Sequence, residues 1–306
     1  MSMTEHQIDY KGEMVAVYEE TEEHLRIGNH FHNTYELIYI IEGRANVKIN
    51  SMKYEAVPGS LIFINHLESH ELEILQYPYK RFYLLIKPQL FQNVIADPRL
   101  SSIFKHRPED FRHILQLNDD EIIPVNSLFT QIKQELDSSL DFGLNGATAL
   151  LHLLFIRLYR NHRHNFPLTD PTGSMNTIYQ IQKFIDEHCL EPITLNEVSN
   201  MFFIDMYYLS RLFKRICGFS FKEYLILQRL SKAKDLLVEG DTSITCVCDA
   251  SGFSNVNHFI RIFKKNEGIT PYQYRKKYRK TSTSSNQSAS QQKSTNLYGR
   301  NSATGI

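Results

Sequence analysis

The chain has no net charge: 34 lysines and arginines offset 34 aspartates and glutamates across 306 residues. Whole-chain charge therefore identifies no partner. Cysteine is scarce as well, with only Cys189, Cys217, Cys246 and Cys248. Cys246 and Cys248 are separated by one residue, the wrong spacing for a zinc knuckle, and no second close pair accompanies them. That leaves no framework for structural zinc, and the four read as reduced cytosolic thiols at core or surface positions. No signal peptide is visible in the polar, acidic opening MSMTEHQIDYKGE. Long apolar runs are missing too. The most apolar stretch, residues 147–159, contains His152 and Arg157 and is too short to span a bilayer. These absences lead to the expectation of a soluble, cytoplasmic protein with no membrane partner.

Charge is present but unevenly spread. Residues 1–174 hold 16 basic and 23 acidic side chains, whereas residues 175–280 hold 16 and 11. A basic C-terminal half joined to an acidic N-terminal half fits a nucleic-acid reader attached to something else. A chain of this length buries a sizeable core and predicts two domains. In residues 14–87, short β-rich runs (37–41, 45–49, 60–64 and 82–86) are separated by turn signals such as Glu42-Gly43 and Pro58-Gly59. Their spacing predicts a small antiparallel barrel or sandwich. Residues 125–136 and 144–159 show helical periodicity, with Leu150, Leu151, Leu154, Phe155 and Leu158 on a broad apolar face. That face serves either to pack within its own domain or to pair with a second subunit.

The expected organisation is an N-terminal domain of strands followed by helices (1–165), a linker rich in Pro, Gly, Ser and Thr (166–176), an all-helical domain (177–280) and a disordered polar tail (281–306). The fold class is thus α+β. The helical domain predicts seven helices, over 177–188, 195–201, 206–216, 221–239, 244–250, 255–266 and 271–278. Asp205 and Ser254 are the expected N-caps of the third and sixth.

Within that domain Ser210–Tyr224 returns fifty residues later as Ile260–Tyr274. Arg211/Arg261, Phe213/Phe263, Lys214/Lys264, Gly218/Gly268 and Tyr224/Tyr274 are identical. A helix with basic residues on one face and aromatics on the other, present twice, points to one contact made twice on a long anionic ligand such as DNA. Each copy follows a short helix and a tight turn. Ser199 and Cys248 take matching places in the two short helices, where a small residue lets helices approach. Gly252 supplies a left-handed position in the second turn, and the first turn, Phe202-Phe203-Ile204, has no glycine.

The stretches LSRLFKRICGFSFKEYLILQRLSKAKDLL and SITCVCDASGFSNVNHFIRIFKKNEGITPYQYR resemble the DNA-binding domain of the AraC/XylS family of transcription regulators in order, spacing and chemistry. The resemblance implies two helix-turn-helix units joined by a long helix. The second helix of each enters the major groove, and the two grooves lie about 34 Å apart. Tyr207, Ser210 and Arg211 in the first unit, and Val256, Asn257, His258, Ile260 and Arg261 in the second, would then approach base edges. There arginine suits guanine, Asn257 suits adenine, and Ile260 suits a thymine methyl. Lys214, Arg215, Lys264 and Lys265 would contact phosphates. The alternative reading of Arg211 and Arg261 is as ion-pair partners of nearby carboxylates.

In the N-terminal half, HFHNTYELIYIIEGR and PGSLIFINHLESH resemble the two motifs of the cupin barrel, a fold such regulators commonly carry as their sensor. The implied effector pocket contains His30, His32, Glu36 and His70, and Arg26, Tyr35 and Tyr39 are further candidates for hydrogen bonds or sugar stacking. In metal-binding cupins, residues at the positions of His30, His32, Glu36 and His70 hold the ion, so a pocket metal is the alternative to a metal-free effector site. His66 reads as a surface-loop residue. The implied function is an effector-responsive regulator, an activator more often than a repressor, acting as a homodimer on promoter DNA and RNA polymerase. A sugar or small polar metabolite is the expected effector. The competing readings are a cupin metalloenzyme and a purely dimerising N-terminal half.

Overall fold

The structure is a computed structural model that describes residues 12–23, 25–50, 52–106, 108, 111–167 and 173–278, the side chains of residues 173–175 excepted. The tail expected beyond residue 280 and residues 168–172 of the expected linker lie outside these residues.

Seven antiparallel strands form one sheet: β1 (Met14–Thr21), β2 (Arg26–His30), β3 (Tyr35–Ile49), β4 (Met52–Ala56), β5 (Ser60–Ile64), β6 (His70–Ile86) and β7 (Ile114–Gln116). Its path runs β1-β6-β3-β5-β7, with β2 added to β6 and β4 to β3. The strands read from sequence at 37–41 and 45–49 are two parts of the single strand β3. The Glu42-Gly43 signal marks a bulge within it and not a hairpin turn. The register with β6 shifts between Ile40 and Ala45, opposite Gln76 to Lys80. Gly43 sits there at φ +81°, where an added Cβ would meet the carbonyl oxygens of Gln76 and Pro78 at 2.5 and 2.6 Å. Such crowding and the left-handed backbone both call for glycine. Strand β6 is also longer than the run 82–86 implied.

Alternation along β3 sends Tyr35, Leu37 and Tyr39 to one face and Glu36, Ile38 and Ile40 to the other. The first face packs against helices α1 (Pro88–Val94), α2 (Pro98–Lys105), α3 (Asp119–Asp137) and α4 (Gly143–Asn161), which together build the main core. Val125, Leu128, Phe129 and Ile132 of α3 meet Leu151, Leu154, Phe155 and Leu158 of α4 there, all buried. The second face forms an inner core with Ala45, Val47, Tyr79, Tyr83 and Leu85. Ile123 near the start of α3, and Leu140 and Phe142 in the loop between α3 and α4, stay 77–80% exposed.

The remaining helices are α5 (Gly173–His188), α6 (Leu195–Met201), α7 (Met206–Cys217), α8 (Phe221–Glu239), α9 (Ile244–Ala250), α10 (Val256–Glu267) and α11 (271–278). All seven expected helices are present, α5 starting four residues early, within the segment expected as linker. Asp205 caps α7 as expected by accepting from Tyr208 N at 2.8 Å. The cap of α10 is Asn255 and not Ser254, its side chain accepting from His258 N at 2.9 Å. Close packing divides the chain between Gln228 and Arg229, so the first helix-turn-helix groups with the sheet and the second forms its own unit. Among the described residues no helix is long and apolar enough to cross a membrane.

Candidate nucleic-acid interface and sensor pocket

The fifty-residue repeat is a repeat of three-dimensional detail. In the first unit Leu209, Leu212, Phe213 and Ile216 of α7 are buried, and Tyr207, Ser210, Arg211, Lys214 and Arg215 are exposed. The helix ends at Gly218 with φ +78°, a left-handed cap that closes onto Lys214 O. Ser220 and Glu223 then exchange bonds in a capping box that opens α8. Tyr224 turns back onto Phe213 edge to face, with ring centroids 5.6 Å apart.

The second unit repeats each device. Phe259 and Phe263 of α10 are buried, Asn257, Arg261, Lys264 and Lys265 are exposed, and Val256, His258 and Ile260 are half-buried. Gly268 caps at φ +74°, Thr270 and Gln273 form the box, and Tyr274 meets Phe263 at 5.4 Å. The identical residues thus include the glycine caps, the aromatic locks and two exposed cations, Arg211/Arg261 and Lys214/Lys264, while Tyr207 and Ser210 are replaced by Asn257 and Ile260 on the outer faces. None of Arg211, Lys214, Arg215, Arg261, Lys264 and Lys265 forms an ion pair among the described residues. That disfavours the reading of Arg211 and Arg261 as carboxylate partners and leaves six cations available to an anionic ligand.

The two turns differ. Gly252 takes the left-handed position of the second turn at φ +81°, and Phe203 takes it in the first at φ +53°. Phe203 is 97% exposed, so no packing compensates the strain. Ser199 and Cys248 are both buried where the paired helices meet, in keeping with their expected packing role.

In the N-terminal domain the structure brings together His30, His32, Glu36 and His70. His32 Nε2 and His70 Nε2 each lie 3.1 Å from Glu36 Oε2. The Nδ1 atoms of His30, His32 and His70 bond to main-chain carbonyls, at Gly28, Thr34 and Glu68 respectively. Those outer bonds fix the tautomer and turn each Nε2 inward. One ring nitrogen of each of the three histidines lies within 4.8 Å of the others. Burial, with His70 and His32 alongside, pushes His30 down to about 3, so its ring is neutral at physiological pH. Burial alone would raise the Glu36 carboxyl, but the bonds from His32 and His70 outweigh it and hold Glu36 well below its usual range. Three imidazoles and one carboxylate form a donor set suited to Fe, Mn, Ni or Zn.

Three expected pocket residues are elsewhere. Tyr35 and Tyr39 alternate to the helix-covered face, where Tyr35 packs on Phe91 and Phe104 and Tyr39 stacks on Phe129. Arg26 lies at the surface, 3.8 Å from Glu71. Sequence reasoning missed their replacements on the inner face. Arg81 is buried, pairs with Glu19 at 2.6 Å and lies 4.8 Å over the Tyr83 ring. An arginine inside the apolar run of β6 was the available signal.

His66 is also not at the surface. It is buried, packs on the Tyr35 ring at 4.8 Å and bonds Tyr224 OH at 2.7 Å. The Tyr224 hydroxyl donates to Asp186 Oδ1 at 2.7 Å, and Gln228 and Gln92 donate to the same carboxyl. Burial pushes Asp186 up to about 7, against the lowering effects of Tyr224, Lys105 and Gln92.

Comparison with known proteins agrees with this geometry. A sequence model of the AraC-like ligand binding domain matches residues 12–154, and a helix-turn-helix domain model matches residues 198–277. Regulatory protein PocR of Salmonella typhimurium is 30% identical over 191 residues, 61% of this chain and 56% of that one, so the match spans about half of PocR. The HTH-type transcriptional activator RhaS of Enterobacter sp. is 24% identical over 80% of this chain and 86% of its own. ToxT of Vibrio cholerae O395 superposes with a TM-score of 0.55 at 14% identity, covering 87% of this chain and 98% of ToxT, a likeness of fold.

Proposed function

This chain belongs to the AraC family of transcriptional regulators, and on that premise we propose that it reads promoter DNA with α7 and α10 under control of a small polar effector. The observation that carries the reading is the duplicated helix-turn-helix with its unpaired cations. In each unit a buried aromatic lock holds a helix whose outer face is basic and polar. Tyr207, Ser210 and Arg211 would meet one set of base edges, and Val256, Asn257, His258, Ile260 and Arg261 another. Lys214, Arg215, Lys264 and Lys265 would hold phosphate. Because the two faces differ in sequence, one chain would prefer an asymmetric site. RhaS is named an activator, which supports activation and RNA polymerase as a partner in the cytoplasm. The exposed Ile123 of α3 and the exposed Leu140 and Phe142 of the α3–α4 loop support a homodimer.

The inner face of the sheet narrows the effector. Among the described residues its buried charges are Glu36 and an Arg81 already neutralised by Glu19. An added carboxylate would face Glu36 with no unneutralised cation there to receive it. A ToxT structure is described as bound to an unsaturated fatty acid. Here the pocket chemistry favours a neutral polyol or a cation instead. The converging ring nitrogens of His30, His32 and His70 favour a second reading, in which these residues and Glu36 hold a divalent transition metal as a sensed or structural ion. The named relatives are regulators, which weighs against a metalloenzyme. The testing experiment selects duplexes from a random library with the intact protein. Enrichment of one motif, with an affinity for it at least a hundredfold above that for random DNA, is the expected result. Equal affinities contradict the reading.

A further inference from the structure

The loop of residues 65–69 lies between the histidine pocket and the first reading unit. His70 begins β6 at its C-terminal end, inside the pocket. Leu67 N donates to His32 O at 2.9 Å, so a second pocket histidine holds the loop through its main chain. Leu67 is 2% exposed and sits at φ +70°, a left-handed conformation that costs a leucine energy. Glu68 closes the loop on itself: its carboxylate accepts from Asn65 N at 2.8 Å, and its N–H donates to Asn65 O at 3.1 Å. The residue this strained loop presents outward is His66.

With its proton committed to Asp186, the Tyr224 hydroxyl accepts from His66 Nε2. Tyr224 lies in the first turn of α8 and locks α7 through Phe213. Asp186 of α5 receives Tyr224, Gln228 of α8 and Gln92 of α1. One continuous set of contacts therefore runs from Glu36 and His70, through the loop, to the aromatic lock of a DNA-reading helix. Every side chain that forms it is buried or nearly so, and it involves only residues within the compact unit that ends at Gln228.

We propose that the 65–69 loop is the lever through which occupancy of the histidine pocket controls the first reading unit, with His66 and Tyr224 as its coupling contact. The inference rests on the sensor-and-reader function proposed above and assigns its regulation to named residues. A ligand that draws on the Nε2 atoms of His32 or His70 pulls on the loop at its midpoint, Leu67, or at its C-terminal end. The strain at Leu67 leaves the loop poised to take a second conformation. His66 then changes its hold on Tyr224, and the base of α7 loosens or tightens with it. Tyr274, the repeat's counterpart of Tyr224, belongs to the other compact unit, so the control is specific to one reader.

The test uses the full chain with one pocket substitution and two coupling substitutions. Glu36→Gln disturbs the pocket. Tyr224→Phe removes the hydroxyl but keeps the ring on Phe213, and His66→Phe keeps a ring against Tyr35 but removes the donor. Amide hydrogen exchange in residues 221–228 should rise at least fivefold in Glu36→Gln and less than twofold further when Tyr224→Phe or His66→Phe is already present. Affinity for a duplex selected by the wild-type protein should change at least threefold with Glu36→Gln alone, and less than 1.5-fold in either uncoupled background. Two coupling variants guard against one of them failing to fold. Faster exchange at 65–70 without any change at 221–228 overturns the proposal, as does a Glu36→Gln effect on DNA of equal size in all backgrounds. The exchange arm needs no DNA, so a protein without sequence preference would end the functional reading and still decide the lever.

Discussion

Asp186→Asn should stabilise the protein above neutral pH and leave it almost unchanged in acid. Burial raises the Asp186 carboxyl from 3.8 to about 7. The folded value lies above the unfolded one, so the folded chain carries the extra proton between those limits. Stability from this group is therefore fully present below about pH 4, falls as pH rises toward about 7, and stays lost above it. A shift of that size corresponds to about 4 kcal/mol at ~1.4 kcal/mol per unit. Asparagine keeps Oδ1, which accepts from Tyr224 and Gln228. Its amide would face Gln92, whose Oε1 has no partner among the described residues, so a flip of the Gln92 amide supplies the acceptor. The charged or titratable groups around the site are Lys105 of α2, pushed down to about 8 by burial, His66 of the loop, Tyr224 of α8, Cys217 of α7 and the neighbouring Glu187. Comparing variant with wild type at each pH isolates Asp186 from the others. The chain has no tryptophan, so urea unfolding is followed by far-ultraviolet circular dichroism. The expected gain at pH 8 is about 2–4 kcal/mol, shrinking to under about 1 kcal/mol near pH 4.5. A variant less stable than wild type at pH 8, or a constant difference across pH, would refute the reasoning and show Asp186 ionised and anchored by its donors.

Further outcomes concern the backbone and the DNA contacts. Phe203→Gly should stabilise the chain by about 0.5–1 kcal/mol in urea unfolding, because relief of a left-handed phenylalanine exceeds the entropy cost of glycine; a loss of stability would show that the aromatic ring packs. Gly43→Ala should cost at least about 2 kcal/mol from backbone strain and from contact with two carbonyl oxygens in the β3 bulge, and a neutral thermal melt would argue against that bulge. Lys265→Ala should weaken all duplexes alike and lower the salt slope by about 1 in fluorescence anisotropy, whereas a change in sequence preference would place Lys265 on a base.

The C-terminal half was legible in the sequence because its signals are local. Caps, periodicity and the repeated Gly and Tyr positions determine helices within a few residues of chain. The inner pocket was half legible. The resemblance to the cupin motifs points to His30, His32, Glu36 and His70, but it does not separate them from Tyr35 and Tyr39, which strand alternation carries to the opposite face. Gly43 read as a turn because sequence cannot show whether a left-handed residue ends a strand or bends it. His66 was misjudged for another reason: its partners Tyr224 and Asp186 lie more than a hundred residues away, and nothing in the local pattern marks a buried polar contact made at that distance.

The central claim is that two non-identical helices of one chain read two different halves of one DNA site. Its most direct measurement is the binding of Arg211→Ala and Arg261→Ala to a panel of single-base variants of the selected duplex. Each substitution should cost about 1–3 kcal/mol and relax preference at one position, the two positions lying in different halves of the site. Relaxation at the same position by both variants, or uniform weakening without any relaxation, would contradict the account.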